Sequence, residues 1–397
     1  MLEEFLINLK VNFRTKIINF KNQKTELLFC LFFDLIYSNL KMDSSRIIVK
    51  SPGRINLIGE HIDYNGGYVL PGATDLIIEF TFSNSKKNFS EIFSSTINKE
   101  CKIEFSNLSK SKIKWENYLI GSIVSILKKR KVELKNFTCR IDGNLPIGSG
   151  ISSSSSLICG FIKGIDILND LSFSNDEILS ISREVEYDFI GLKGGIMDQY
   201  TIINAKKNNL ILLNTKDNTS KYIESNLGEY KILLLNTNKE HDLSNSAYND
   251  RVNECNKALQ IINEAGFDFK YLTQINIEQL IQLKNKMPQY IFSRAIYVIE
   301  ENLRTLKSVE YLKNCDYKSL GNLMYLSHDG LKNLYQVSCE ELDFLVDQTK
   351  SYDEILGARM MGGGFGGCSI NLIHSDFIDA FINEIRDNYY KKFSIYI

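Results

Sequence analysis

A short stretch near the start of the chain gathers polar side chains among apolar neighbours. It reads SPGRINLIGEHIDYNGGYVLPG, covers residues 51–72, and contains Arg54, Glu60, His61 and Asp63. A carboxylate accepts several hydrogen bonds at once, and an imidazole adds a donor or an acceptor. Taken alone, Glu60, His61 and Asp63 are also compatible with a solvated turn or with a metal site.

A second stretch, LPIGSGISSSSS, is rich in glycine and serine and leads into a segment with helical spacing. Gly148 and Gly150 lack the β-carbons that would hold a polyphosphate away from the backbone. A helix that begins near Ser152 would point unpaired N–H groups at the same place. The serine hydroxyls at 152–156 can add hydrogen bonds or reach a Mg²⁺ ion. The pattern predicts a phosphate site, although a serine-rich helix cap in a flexible loop has the same composition.

Other nucleotide-binding signatures are missing from the sequence. It contains no GxxxxGK[ST], which excludes a Walker-type phosphate loop, and no HRD or DFG, which excludes a protein kinase. The stretch GGGFGG at residues 362–367 matches GxGxxG, but it lies too near the C-terminus for a dinucleotide-binding unit. Its glycines are typical of a tight hairpin and of close approach to a ligand.

Hydrophobic periodicity indicates which elements position these residues. RIIVK and FTCRIDG alternate as strands do, and SNDE at 174–177 is a possible capping box at the start of a helix. NLILLNT and KILLLNT predict two more strands, and residues 252–262 have helical spacing that ends at Gly266. The C-terminal residues predict a strand at CSINLI, then a helix, then a strand at FSIYI.

A chain of 397 residues is long enough for two domains. We expect a helical segment at residues 1–45, a first domain at 46–225 that carries the two polar stretches, and a second domain at 226–397.

Charge and cysteine usage limit the classes of partner. The 47 basic and 48 acidic residues nearly cancel, so we expect no binding to nucleic acid or to a membrane, and small molecules as partners. The eight cysteines form no CxxC pair and predict buried thiols in a reducing compartment. The apolar run LLFCLFFDLIYSNL is interrupted by Asp34 and too short for a membrane span, so we expect a cytoplasmic protein.

Three segments in order, PGRINLIGEHIDYN, LPIGSGISSSS and GARMMGGGFGG, resemble the three signatures of the GHMP small-molecule kinases. The first has the form that is typical of the galactokinase family within that group. WENYLIG, GGIMDQ, HDLSNSAYNDRVNEC and SHDGLKNLYQVSCEELD are further matches. The resemblance extends from about residue 46 to the end of the chain.

The resemblance implies the GHMP kinase fold, with an N-terminal α/β domain like ribosomal protein S5 domain 2 and a C-terminal ferredoxin-like α+β domain. It also implies transfer of a phosphoryl group from ATP to the C1 hydroxyl of α-D-galactose. Asp198 would be the catalytic aspartate, with Arg54 as its cationic partner. The sugar hydroxyls would be bound by Glu60, His61, Asp63, Gly195 and Tyr248.

For the nucleotide, the resemblance implies binding by Gly148, Ser149, Gly150, Ser152, Ser153, Ser154 and Trp115. Ser154 and Glu186 would hold Mg²⁺, although an exposed glutamate on a helix is an equally ordinary interpretation of Glu186. We expect galactose and ATP as the substrates and a monomeric protein.

Some positions depart from the family pattern. Ile62 replaces the usual threonine, Ile151 replaces leucine, and SSSSSL carries a serine where alanine is usual. That serine also occurs in N-acetylgalactosamine kinases, which remain an alternative, although GGIMDQ has the galactokinase form. A catalytically silent sensor of galactose and ATP is a second alternative, but Arg54, Asp198 and the serines are intact. A phosphomevalonate or homoserine kinase is a third, disfavoured because neither needs Glu60, His61 and Asp63.

Overall fold

The strands in the described part of the chain fall into three sheets. The computed structural model describes residues 15–18, 46–239 and 244–397. The sheet orders are β2-β4-β7-β5-β6, β3-β8-β9 and β1-β10-β12-β11. The strands are β1 (Thr15–Ile18), β2 (Ile47–Asn56), β3 (Tyr68–Val69), β4 (Pro71–Asn84), β5 (Ser90–Ser94), β6 (Lys99–Ile103), β7 (Phe137–Gly143), β8 (Asn209–Asn214), β9 (Thr219–Glu224), β10 (Tyr230–Asn236), β11 (Ile355–Met360) and β12 (Cys368–His374).

Helices pack against the sheets and against one another. The α-helices are α1 (Glu116–Lys129), α2 (Ser153–Leu168), α3 (Asn175–Glu184), α4 (Met197–Asn204), α5 (Ser244–Glu264), α6 (Ile277–Gln282), α7 (Gln289–Lys313), α8 (Tyr317–Gly330), α9 (Glu340–Thr349) and α10 (Ile378–Phe393). Two π-helical turns continue α3 and α8, at Val185–Ile190 and Leu331–Tyr335. Such turns redirect the side chains of a helix and are frequent at functional sites.

Helix α2 lies directly on strands β2 and β4 of the five-stranded sheet. A β-carbon on Gly160 would lie 2.3 Å from the Phe80 ring, and one on Gly164 would lie 2.0 Å from the Phe82 ring. Glycine at both positions therefore permits the helix to approach the aromatic face of the sheet. This close packing places the N-terminus of α2 beside the end of β2.

The four-stranded sheet is formed mainly by C-terminal residues. Strands β10, β12 and β11 run antiparallel in that order, and β1 adds to β10 in parallel. The predicted hairpin of glycines connects β11 to β12. Helices α8 and α9 pack against β11, and α10 closes a separate apolar cluster with β10 and β12.

Most of the predicted elements are confirmed. RIIVK, FTCRIDG, NLILLNT, KILLLNT and CSINLI all lie in strands, and α5 ends just before Gly266, where φ is 105°. Ser174 Oγ accepts from the Glu177 amide at 3.2 Å, and the Glu177 carboxylate accepts from the Ser174 amide at 3.0 Å. This reciprocal pair is the predicted capping box at the start of α3.

Three expectations are wrong for residues that the structure describes. Thr15–Ile18 form a strand rather than a helix, because β-branched residues favour strands and this segment pairs with the edge of β10. The rest of the predicted segment 1–45 lies outside the described residues. FSIYI is no strand, since α10 extends to Phe393 and Ser394 then adopts φ of 56°. Cys315 is exposed rather than buried.

The domain boundary near residue 225 remains a proposal. Strand β9 of the three-stranded sheet ends at Glu224, and β10 of the four-stranded sheet begins at Tyr230. A division at 225/226 therefore separates strands that belong to different sheets. We propose residues 46–225 and 226–397 as the two domains.

Candidate active site

A cavity of about 650 Å³ opens between the end of β2, the N-termini of α2 and α4, and the β11–β12 hairpin. It brings together side chains that are up to three hundred residues apart in the chain. The predicted site residues on its wall are Arg54, Glu60, His61, Asp63, Gly148, Gly150, Ser152, Ser153, Ser154, Glu186, Gly195, Asp198 and Tyr248.

Arg54 and Asp198 form a bidentate ion pair at the centre of this wall. Arg54 Nε donates to Asp198 Oδ1 at 2.8 Å, and Arg54 Nη2 donates to Asp198 Oδ2 at 3.0 Å. Arg54 Nη1 also donates to the carbonyl of Gly150 at 2.7 Å. The guanidinium is buried at the end of β2, whereas the Asp198 side chain is 28% exposed. Asp198 is therefore held rigidly and still faces the cavity.

The N-terminus of α2 faces the cavity beside this pair. Ser152 adopts φ of 61°, and its hydroxyl donates to Asp198 Oδ2 rather than capping the helix. Among the residues that the structure describes, no side chain accepts from the first N–H groups of the helix, which suits an anion. Ser153 and Ser154 follow on the same wall.

Glu60 is a buried carboxylate whose position is set by the β11–β12 hairpin. Its Oε1 accepts from the amide of Gly362 at 2.8 Å and from both terminal nitrogens of Arg359 at 3.3 Å. The residue is only 2% exposed, yet it forms part of the cavity wall. A charged group in such surroundings needs the cation that Arg359 supplies.

His61 uses both ring nitrogens on protein partners. Nε2 lies 3.2 Å from the carbonyl oxygen of Gly363, which can only accept, so Nε2 carries the hydrogen. Nδ1 then accepts from the Tyr64 hydroxyl at 2.8 Å. Burial lowers the pKa of His61 to about 3, so the imidazole is neutral. The His61 ring packs against the Tyr248 ring, with 5.2 Å between the two ring centroids. Because both nitrogens are bonded to protein atoms, His61 contributes its ring to the cavity wall.

Asp63 is a partly buried carboxylate of the same loop that has no cationic partner in the described part of the chain. Its Oδ1 accepts from the Tyr64 amide at 3.1 Å and its Oδ2 from the Met197 amide at 3.3 Å. A β-carbon on Gly195 would lie 2.0 Å from Oδ2, so the glycine makes room for the carboxylate. Burial raises the pKa of Asp63 to about 6, and the negative charge of Asp198 adds to this.

Glu186 lies in the π-helical turn after α3, and that turn directs it inward. Its Oε1 accepts from the Ser155 hydroxyl at 2.8 Å, and its Oε2 accepts from Gln199 Nε2 at 2.5 Å. Burial raises the pKa of Glu186 to about 7, with a further contribution from Asp198. The serine that touches Glu186 is thus Ser155, whereas Ser154 lies on the cavity wall nearby.

Three family models match successive parts of the chain. They are the galactokinase galactose-binding signature at residues 39–82, the GHMP kinases N terminal domain at 117–206 and the GHMP kinases C terminal model at 308–391. A galactokinase of Thermotoga neapolitana is 39% identical over 87% of this chain and 95% of its own length. A galactokinase of Clostridium tetani is 38% identical over 86% of this chain and 87% of its own length. The chain belongs to the galactokinase family.

A solved structure supports the same membership. The crystal structure of Lactococcus lactis galactokinase complexed with galactose is 30% identical, matches with a TM-score of 0.84, and covers 92% of this chain and 94% of that one. Mevalonate kinase of Methanococcus jannaschii, at 22% identity and a TM-score of 0.61, shares the fold. The predicted GHMP kinase fold is therefore confirmed, and the family membership favours none of the alternative functions.

Two of the predicted nucleotide-binding residues of this galactokinase-family chain lie apart from the cavity wall. Ser149 is buried and donates its hydroxyl to the carbonyl of Pro146 at 3.0 Å. Trp115 precedes α1 and is half-buried, with an indole N–H that has no hydrogen-bond partner among the described residues. Its neighbour Lys114 does line the cavity. Both assignments remain predictions.

Sequence reasoning missed several residues of this galactokinase-family site. Arg359 and Gln199 hold the two buried glutamates, while Lys114 and Lys239 add positive charge to the cavity wall. The sequence did contain a signal for Arg359, because an arginine inside the apolar strand β11 is unusual unless it is paired. Gln199 left none, because glutamine beside a catalytic aspartate is also common on a helix surface.

Among the described residues, no helix is both long enough and apolar enough to cross a membrane.

Proposed function

We propose that this protein transfers the γ-phosphoryl group of ATP to the C1 hydroxyl of α-D-galactose, giving galactose 1-phosphate and ADP. The galactose-binding signature at residues 39–82 and the relatives named galactokinase support this substrate. The observation that carries the proposal is the Arg54–Asp198 ion pair, which lies on one cavity wall between the Glu60 loop and the N-terminus of α2. A sugar and a triphosphate that bind in this cavity meet at that pair.

Asp198 would act on the attacking hydroxyl. Its Oδ2 already accepts from Arg54 and Ser152, whereas Oδ1 accepts one bond, so we assign the sugar hydroxyl to Oδ1. The C1 oxygen forms a bond to the γ-phosphorus, and the bond from that phosphorus to the β–γ bridging oxygen breaks. The hydroxyl proton passes to Asp198 or, if Asp198 only orients the hydroxyl, to solvent. Arg54 stabilises the charge of the transferring group.

The remaining sugar hydroxyls would be held by the Glu60 loop. Glu60 and Asp63 each offer carboxylate oxygens to the cavity, and the hydroxyl of Tyr248 and the backbone at Gly195 complete the pocket. Since both nitrogens of His61 have protein partners, we assign to it the packing of its ring beside the sugar, together with the orientation of Tyr64.

ATP would bind with its phosphates at the start of α2. Gly148, Gly150 and the hydroxyls of Ser153 and Ser154 line that part of the wall, and free N–H groups point the same way. Lys114 and Lys239 bring positive charge to the cavity. We keep Ser149 and Trp115 as proposed contributors to this region.

The donor set fits Mg²⁺. Glu186 is a buried carboxylate that pairs with no lysine or arginine in the part of the chain that the structure describes, and a cation would compensate its burial. Magnesium usually takes one or two protein ligands and completes its shell with phosphate oxygens and water. Glu186 and Ser154 would hold it, and when bound it neutralises charge on the β- and γ-phosphates.

A coupled ADP-release assay over a sugar panel tests the proposal. We expect activity with galactose that depends on Mg²⁺ and ATP. Activity with mevalonate or homoserine but not with galactose would overturn it, and a higher rate with N-acetylgalactosamine than with galactose would reassign the substrate. Light scattering tests the accompanying proposal that the protein is a monomer.

A further inference from the structure

Arg359 is a completely buried cation in β11, on the side of the cavity formed by C-terminal residues. Its Nε donates to the carbonyl of Leu57 at 2.9 Å, and Nη2 donates to the carbonyl of Asn56. Asn56 is the last residue of β2, and Leu57 begins the segment that leads from β2 to Glu60. One arginine therefore fixes the backbone that leads into the sugar loop.

The same guanidinium also binds the carboxylate of Glu60, and it does so on one oxygen only. Both terminal nitrogens lie 3.3 Å from Oε1, which in addition accepts from the amide of Gly362 at 2.8 Å. Across residues 46–239 and 244–397, no hydrogen bond reaches Oε2 of Glu60. Because Glu60 lines the cavity, the crowded oxygen is anchored and the other one is available to a ligand.

Further C-terminal side chains hold the backbone around Glu60. The hydroxyl of Tyr297 donates to the carbonyl of Glu60 at 2.9 Å, and the amide of Gly59 donates to the buried carboxylate of Glu301 at 2.9 Å. The residue is thus held at its carboxylate and at its main chain from the same side.

We propose that Arg359 is a positioning residue of the sugar site: it holds Oε1 of Glu60 so that Oε2 faces a galactose hydroxyl, while Tyr297 holds the main chain of Glu60. This inference rests on the proposed function, because it presupposes that the cavity binds galactose. Arg359 does not touch the substrate and acts through Glu60.

Geometry as well as charge matters in this arrangement. The planar guanidinium fork reaches three carbonyls, the third being that of Met360, and a carboxylate at once, which the single ammonium of a lysine cannot do. Arg359→Lys keeps the charge and loses the fork. We expect KM for galactose to rise roughly 10- to 100-fold, since a shift of about 1 Å in a binding group has that effect. KM for ATP should change little.

Arg294→Lys is the matched control. Arg294 is also a buried arginine with several partners, namely Glu254, Gln336 and the carbonyl of Leu334, and none of them lines the cavity. If both variants lower the urea midpoint but only Arg359→Lys raises KM for galactose, a general loss of stability is excluded as the cause.

A double-mutant cycle with Glu60→Gln separates a role through Glu60 from an independent one. If Arg359 acts through Glu60, the double variant should have a galactose KM close to that of the worse single variant. Effects of the two substitutions that multiply would overturn the inference, and so would an unchanged KM in folded Arg359→Lys.

Tyr297→Phe covers the case in which Arg359→Lys does not fold. It removes one hydroxyl and keeps the ring, and we expect KM for galactose to rise about threefold with KM for ATP unchanged. A galactose KM of Tyr297→Phe equal to that of the wild type would then overturn the inference. A wild-type protein without activity on galactose would instead refute the proposed function, so the two failures are distinguishable.

Discussion

The two sides of the cavity are built in different ways. On the sugar side, defined by Glu60, His61 and Asp63, the first two side chains are buried, Asp63 is partly buried, and all three are already bonded to protein partners. On the phosphate side, defined by residues 147–154, Ile147 is 64% exposed, and a β-carbon on Gly148 would meet nothing within 4 Å. The sugar side is organised by protein contacts without a ligand, whereas the phosphate side is open at Ile147 and Gly148.

Physical chemistry accounts for this difference. Buried polar groups are costly unless they are bonded, so a sugar pocket made of carboxylates and an imidazole has to be held by protein contacts. The phosphate side uses backbone N–H groups and serine hydroxyls that water can solvate until a triphosphate arrives. Substitutions on the sugar side should therefore have larger effects on binding than those on the phosphate side.

Asp198 lies where the two sides meet, and its replacement should have the largest effect. Asp198→Asn keeps the shape but weakens the pair with Arg54 and removes the proton acceptor. We expect kcat to fall by about 10³-fold. Affinity for an ATP analogue, measured by calorimetry, should stay within about twofold, because no phosphate contact is lost.

Asp166→Asn is a control for this substitution, since Asp166 is a buried acid of α2 that pairs with Lys163 and lies off the cavity wall. A large loss of nucleotide affinity in Asp198→Asn would place that residue on the phosphate side and contradict the proposed role.

A pair of glycine substitutions compares the two sides directly. In Gly195→Ala the new β-carbon would lie 2.0 Å from the Asp63 carboxylate, so that group must move. We expect KM for galactose to rise at least about tenfold. In Gly148→Ala the space is open, and only the φ of 75° opposes the change, at a cost of about 1 kcal/mol. Steady-state kinetics with each substrate should show the larger change for Gly195→Ala, and the reverse order would contradict the comparison.

At saturating Mg²⁺ and ATP, where the bound ion would keep Glu186 ionised, the acid limb of the pH profile should report Asp63. Its pKa of about 6 means that the carboxylate takes up a proton well before an ordinary aspartate does. Since the ionised form is the better acceptor for sugar hydroxyls, kcat/KM for galactose should fall as the pH drops below about 6, by up to tenfold per pH unit. Asp63→Asn should lower the plateau and flatten this limb. An identical limb in the variant would assign it to another group.

The sequence was informative about the elements that carry periodic signals. The strands at RIIVK and FTCRIDG and the capping box at Ser174 follow from patterns that local residues determine. The roles assigned to the site residues came instead from resemblance to a family, because a lone aspartate such as Asp198 has no distinctive local signal.

Long-range contacts are what the sequence could not reveal. The pairing of Arg359 with Glu60 joins residues 299 positions apart, and the bonds that occupy both nitrogens of His61 depend on the hairpin and on Tyr64. The prediction of a strand at FSIYI was wrong for a related reason, since the alternation of its residues does not indicate that α10 continues to Phe393. Local patterns predict elements, and tertiary packing decides which side chains meet.

The last expected effect is on stability rather than on kinetics, and it comes from His61 on the sugar side. Because its pKa is about 3 in the folded protein and about 6.5 when unfolded, the unfolded chain binds more protons between these values. The free energy of unfolding should therefore fall as the pH drops below about 6.5, by up to about 1.4 kcal/mol per unit, with no contribution from this source above pH 7.

His61→Gln isolates this contribution in urea unfolding. The variant should be less stable than the wild type at pH 7.5, and the difference should narrow by roughly 2 kcal/mol at pH 5, where the variant has no imidazole to protonate on unfolding. Asp63, with its raised pKa, favours the folded state as the pH falls, but it is present in both proteins and cancels in the difference. If the stability difference between the two proteins stays constant or widens at pH 5, His61 takes up a proton in the folded protein. The hydrogen bonds of its ring nitrogens to Gly363 and Tyr64 would then need another explanation.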